Sequence, residues 1–217
     1  MSSELLAMLA DSFLETLLMV AVSGGIGALF GIPLGIALHL TTPQGILPHP
    51  VFNRVLGVVI NAVRSVPFII LLVAVIPFTR LIAGSSIGTA AAIVPLTIAA
   101  APFIARLVET ALREVDRGLV EAAQAMGATH AQIVTKVLLP EALPGIVAGL
   151  TISLVSLVGY SAMAGAIGGG GLGDMGIRYG YQRFMPEVML MVVLVLIVFV
   201  QAVQSLGDAV VRRMSHR

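Results

Sequence analysis

Cysteine is absent from the 217 residues, which excludes disulfides and thiolate metal sites. Charge is scarce. Asp, Glu, Lys and Arg supply 11% of the chain, against roughly 25% in soluble domains, and a net charge of +1 gives no signal for nucleic acid. The four histidines, His39, His49, His130 and His216, include no pair at metal-ligand spacing within one helix, and His-Glu-x-x-His is missing, so no metal site is predicted. No serine stands in a nucleophile elbow with acid and base partners, so no catalytic residue is assigned. Gly171-Leu-Gly-Asp-Met-Gly176 fits G-x-G-x-x-G, but it follows an apolar run rather than a strand. No Lys-Ser or Lys-Thr follows these glycines, so the chain supplies no ATP site by a Walker A loop. There is no internal repeat and no soluble domain.

What remains is apolar. The chain is 58% hydrophobic with a mean hydropathy of +1.05, too much apolar surface for a soluble fold of this size to cover. Before the first apolar run come Glu4, Asp11 and Glu15 with no Lys or Arg, which is unlike a signal peptide. A spanning helix needs about 20 mostly apolar residues. Five such stretches occur, at about 16–38, 56–79, 86–106, 142–167 and 187–207. The expected fold is an all-α integral membrane protein, a single domain over 1–217 with five transmembrane helices. Apart from Glu187 at the edge of the fifth, the spans contain no acidic residue, which argues against a proton relay, so energy must reach a transporter of this kind from elsewhere.

Several local features refine the spans. Gly27, Gly31 and Gly35 recur every fourth residue on one face of the first, which lets another helix backbone approach closely. Pro33 is expected to bend that span, and Pro95 and Pro102 the third. Residues 39–54 read as a connecting loop, and a short loop is expected around Arg80 and Gly84. Arg64 lies inside the second span, where an arginine costs about 2.5–3.5 kcal/mol on insertion scales. It either snorkels to the headgroups or contacts a gate or partner. Gly165–Gly176 is expected to be a glycine-dense re-entry between spans four and five, at an outer gate or a docking face. Replacing Gly169 and Gly170 with valine is then expected to impair transport with membrane insertion intact.

Five spans put the termini on opposite sides. Arg54, Arg64, Arg106, Arg113, Arg117, Lys136, Arg212, Arg213 and Arg217 fall on one side, and Arg80, Arg178 and Arg183 on the other. The positive-inside rule then places the N-terminus outside and the C-terminus in the cytoplasm. Residues 116–141 become a cytoplasmic, amphipathic pair of short helices. Asp116 caps the first helix, Gly127 ends it, and Thr129 with Gln132 opens the second as a capping box. Leu119, Ala122, Ala123 and Met126 share one face of the first helix, and Ile133 and Val137 one face of the second. Such a pair suits a surface that meets a soluble partner.

The same stretch resembles the signature of bacterial ABC-importer permeases: Glu-Ala-Ala, three residues, Gly, nine residues, Ile, one residue, Leu-Pro. Here Glu121-Ala122-Ala123 precedes Gly127, then Val137 in place of Ile, then Leu139-Pro140. Arg64-Ser-Val-Pro-Phe-Ile-Ile-Leu-Leu72, Ile93-Val-Pro-Leu-Thr97, Ala101-Pro-Phe-Ile-Ala-Arg106, Gly159-Tyr-Ser-Ala-Met163 and Gly168-Gly-Gly-Gly-Leu-Gly173 resemble, within that family, the permeases of methionine importers. The resemblance covers nearly the whole chain. It implies a type I importer permease fold in the bacterial inner membrane, with Glu121, Ala122, Ala123, Gly127, Ala128, Thr129, Val137, Leu139 and Pro140 forming the segment that couples to an ATPase. It also implies a homodimer, two copies of an ABC ATPase that bind ATP and Mg (this chain holding no cofactor), and an extracytoplasmic substrate-binding lipoprotein. The implied cargo is methionine, D and L, moved by alternating access. A homodimer of five-helix chains places the path on the two-fold axis. Tyr160, Ser161, Met163, Gly169 and Gly170 are the candidates for that path or its gate, a thioether such as Met163 suiting an apolar side chain in transit. The residues alone leave open another amino acid or a small peptide as cargo, or a membrane scaffold without transport.

Overall fold

The computed structural model describes residues 3–215, all helical or connecting, with no strand among them. Arg217 and His216 of the basic tail lie outside the described residues. Helix α1, Ser3–Leu40, is a single 38-residue helix, about 57 Å long at 1.5 Å per residue. It therefore outruns both a bilayer core of roughly 30 Å and the predicted first span. It also continues through Pro33. Helix α5, Thr89–Arg113, likewise runs unbroken through Pro95 and Pro102. Close packing explains how the two helices meet. A Cβ on Gly27 would lie 2.6 Å from the Ala100 Cβ, one on Gly31 2.7 Å from the Ala101 carbonyl, and one on Gly35 2.5 Å from the Ala105 carbonyl. The glycine stripe read from the sequence is thus the seam between α1 and α5.

The predicted second span is not one helix. It divides into α2 (Pro50–Ser65), α3 (Phe68–Ala74) and α4 (Ile76–Ala83), with α2 and α3 bent by 102°. Proline explains the break. Pro67 has no N–H to donate, and the residue before a proline is driven from the helical region. Val66 accordingly sits at φ −83°, ψ 126°. Among the described residues four helices are long and apolar enough to cross a membrane, and there are five crossings if the bent pair counts as one. The expected loop over 39–54 narrows to 41–49, because α2 starts at Pro50, where a proline suits a first helical turn. The His49 Nδ1 accepts from the Phe52 N–H at 3.2 Å, and the Asn53 amide donates to the Leu38 carbonyl at 2.7 Å. Arg80, expected in a loop, lies in α4, which Gly84 ends in the left-handed conformation at φ 73°.

Beyond α5 come α6 (Arg117–Ala125) and α7 (His130–Ile133). Helix α7 is not a separate short helix. It continues through a π-type turn at Val134–Leu138 into α8, Leu139–Ala164, and the whole run from His130 to Gly169 counts as one apolar span. Residues Gly171–Met175 form α9, and α10 covers Pro186–Ser215. The core lies where α1, α5 and α8 meet, around Met19, Leu96, Ile104, Leu112 and Leu157. Several buried hydroxyls turn back on their own helices: Thr16 donates to the Ser12 carbonyl at 3.0 Å, Ser23 to Met19 at 2.5 Å and Thr151 to Val147 at 2.9 Å. This satisfies them where water is absent. Leu29, Phe30, Ile70, Leu194 and Val198 remain exposed on the outside, as a surface facing lipid or another apolar chain must be.

Candidate functional site

The helix pair at the charged end has the predicted punctuation. The Asp116 carboxylate accepts from the Gly118 N–H at 2.7 Å and so caps α6. Gly127, at φ 76°, ends it. The Ala128 N–H donates to the Ala123 carbonyl at 3.0 Å and the Gly127 N–H to Gln124 at 2.9 Å, the two bonds of a Schellman turn. Thr129 then accepts from the Gln132 N–H at 3.3 Å, while the Gln132 side chain accepts from the Thr129 N–H at 2.8 Å. The joint is rigid because the Gly127, Ala128, Thr129 and Gln132 N–H groups all have partners.

The predicted apolar face of α6 needs correction. Ala123 is buried, and Val120 packs inward beside it. Leu119, Ala122 and Met126 point outward instead, with Met126 82% exposed. Small residues on both sides of α6 hide which stripe is inner, and Met126 lies past the last helical turn. On the second arm Ile133 and Leu138 are buried, Val137 and Leu139 pack partly against the core, Ala128 is half-buried and Pro140 is exposed. The signature residues thus split into an anchored arm and a free one. The free arm presents Met126 and Leu119 beside Glu121, a carboxylate that has no hydrogen-bonded or ionic partner among the described residues. Glu121 also borders a groove of about 480 Å³ between α6, the end of α5 and the 41–49 loop. Across it Arg117 donates to the Gln44 side chain at 3.0 Å.

Just inside this end lies a cluster of charged side chains on α5. Glu109 is 4% exposed. Its two oxygens receive Arg106 at 2.6 Å and Arg113 at 2.5 Å. The other arm of Arg106 donates to the Gly57 carbonyl of α2 at 3.1 Å, clamping α2 to α5. The i, i+3 and i, i+4 spacing was a legible signal for the ion pairs; the reach to Gly57 had none.

At the opposite end the glycine-dense stretch is folded rather than looped. Positive φ at Gly168, Gly170 and Gly171 turns the chain back into α9, which lies against α1 and α8. Two α1 side chains hold its start. The Glu15 carboxylate accepts from the Gly171 N–H at 2.6 Å and the Thr16 hydroxyl from the Leu172 N–H at 2.9 Å. These residues are 156 positions apart, so nothing local in the sequence predicts the clasp. Gly169 is buried, and a Cβ on Gly170 would meet a Glu15 oxygen at 2.7 Å. Both therefore serve packing at this end.

Between the two ends, Tyr160 of α8 stacks on Phe68 with centroids 4.7 Å apart and planes 9° apart. Met163, one helical turn on, is 47% exposed. Ser161 is turned away from them. It is buried, with its hydroxyl donated to the Val158 carbonyl at 2.8 Å.

Several apolar crossings, a helix broken at a proline, a re-entrant glycine turn and a rigid helix pair at one end define a multi-pass membrane permease component. The chain belongs to the family described as binding-protein-dependent transport system inner membrane component, whose model matches residues 31–216. It is 61% identical to the probable D-methionine transport system permease protein MetI of Vibrio cholerae, over 94% of this chain and 90% of that protein. It is 56% identical to the D-methionine transport system permease protein MetI of Escherichia coli, over 76% of each. Among solved structures, a chain of the MetNI methionine ABC transporter in an inward-facing conformation superimposes with a TM-score of 0.96 at 52% identity, covering 99% of both chains. An amino acid ABC transporter crystallised with histidines shares the fold, with a TM-score of 0.79 at 20% identity over 95% of this chain and 94% of that one.

Proposed function

We propose that this chain is the membrane subunit of an ATP-driven methionine importer. The observation that carries this reading is the 0.96 TM-score at 52% identity with a methionine ABC transporter chain, over 99% of both. Two copies form the path on a two-fold axis. Two ATPase subunits bind ATP and Mg and receive α6 and the turn at Gly127, while an extracytoplasmic binding protein delivers methionine at the end built by α9. The N-terminus lies outside and the C-terminus in the cytoplasm of the inner membrane, in accord with the arginine distribution. The chain itself performs no catalysis and holds no cofactor.

Coupling follows from rigidity. A push on the exposed face of α6 passes through the Schellman turn into His130–Gly169, which is continuous with a span, so displacement of the ATPase moves a transmembrane helix as a lever. The test is reconstitution of the chain with its ATPase and binding protein in vesicles, where ATP-dependent methionine uptake is expected and a scaffold gives none. Gly127→Val sharpens it. A Cβ there meets open space, but an L-residue in the left-handed region costs about 1–2 kcal/mol, more for a β-branched one. The variant is expected to insert and assemble, yet to lose at least tenfold in uptake and in stimulated ATP hydrolysis. Wild-type uptake by this variant would remove the turn from the mechanism.

A further inference from the structure

A cavity of about 140 Å³ opens at the bend between α2 and α3, lined among others by Arg64, Phe68, Leu71, Phe103 and Tyr160. Arg64 lies in the last turn of α2, roughly 21 Å along the helix from its start at 1.5 Å per residue. Its guanidinium sits 5.8 Å from the centroid of the Phe103 ring. Among the described residues no carboxylate pairs with it: the ion pairs belong to Glu109 and Asp174. An arginine within this bent apolar pair is costly in lipid, and intramembrane arginines mark substrate paths or find an ionic partner. Of the cations assigned to its side, Arg106 and Arg113 are both engaged by Glu109; Arg64 keeps its donors.

We propose that Arg64 is a transient anchor for the α-carboxylate of the amino acid in transit. The claim rests on the importer reading above. A guanidinium presents a planar fork of donors that matches a carboxylate, and the stacked Phe68–Tyr160 pair forms an apolar wall beside it, suited to an uncharged side chain. The cavity is smaller than the roughly 300–1,000 Å³ that enclose a small ligand, so it takes the charged end of the substrate and leaves the rest outside. That is what a path requires, since a site that binds too well does not release. The anchor sits where Pro67 breaks the span, so movement of α3 relative to α2 opens or closes it.

The test is the coupling ratio, methionine imported per ATP hydrolysed, in vesicles containing the whole complex with its binding protein. Arg64→Ala is expected to lower the ratio at least tenfold while ATP hydrolysis stimulated by the loaded binding protein stays within about threefold. Arg64→Lys keeps the charge and is expected to recover part of the ratio. A ratio within twofold of wild type in Arg64→Ala overturns the proposal. So does a fall of uptake and hydrolysis in step, which would make Arg64 a structural residue of the bend, and so does a lysine variant no better than alanine. Absence of methionine uptake by the wild-type complex would instead strike the importer reading itself, and is distinguishable from all of these.

Discussion

Gly173→Val is expected to yield no functional transporter. A Cβ at this position would lie 2.3 Å from the Ala162 carbonyl oxygen and 2.5 Å from the Ala162 Cα. The obstacle is backbone, which cannot rotate away as a side chain does. Helix α9 must move off α8, and that movement pulls Gly171 and Leu172 from the Glu15 and Thr16 contacts that hold its start. Overpacking of this sort costs ~3 kcal/mol or more. Uptake in vesicles is expected to fall below a tenth of wild type, with reduced yield of the assembled complex on size exclusion. Alanine carries the same Cβ and is expected to fail in the same direction. Gly159→Ala on the same α8 meets nothing within 4 Å and serves as the neutral control. An active Gly173→Val protein would show that α9 does not need its seat on α8. The Gly169 and Gly170 valine variants belong to the same end of the molecule. Their expected loss of transport traces to the Ala164 carbonyl, 2.8 Å from a Cβ on Gly169, and to the Glu15 carboxylate beside Gly170.

Glu109→Ala is expected to be the most destabilising substitution at the charged end. Removing one partner of a buried ion pair strands the other, at ~3–5 kcal/mol. The lower part of that range applies here, because the Arg113 side chain is 66% exposed and rehydrates, whereas that of Arg106 is 22% exposed. Without Glu109, Arg106 keeps only the Gly57 carbonyl, and the link between α2 and α5 loosens. The melting temperature of the purified protein in detergent is expected to drop clearly. The double variant Arg106→Ala, Glu109→Ala is expected to be less destabilised than the sum of the single ones, since it removes the stranded charge with its partner. Strict additivity of the two would show that they do not act as one cluster.

These two sites differ in how far the linear chain announced them. Arg106, Glu109 and Arg113 stand at helical spacing and their pairing was readable; their grip on Gly57 was not, because it depends on where α2 packs. The Glu15–Gly171 clasp was invisible, since a carboxylate near the N-terminus carries no mark of a partner 156 residues away. On α6 the caps were legible because they are local hydrogen bonds between residues two to five apart. The buried face was misread because alanine scattered around the helix weakens the periodic contrast on which such readings depend.

The sequence by itself determined the class of this protein. Scarce charge, long apolar runs and the Glu121–Pro140 signature admit few other readings, and the glycine stripe at 27, 31 and 35 already named the seam of α1. Each rests on composition or on spacing within one helix. Tertiary structure alone decided the 102° break of the second span, the fold of the glycine-dense stretch into α9, the continuity of α7 with α8, and the placing of Arg64 beside Phe68, Phe103 and Tyr160. Those features depend on which helices become neighbours. Proline and glycine permit a break or a turn, but only the packing around them decides whether the helix ends there or, as at Pro33, Pro95 and Pro102, continues.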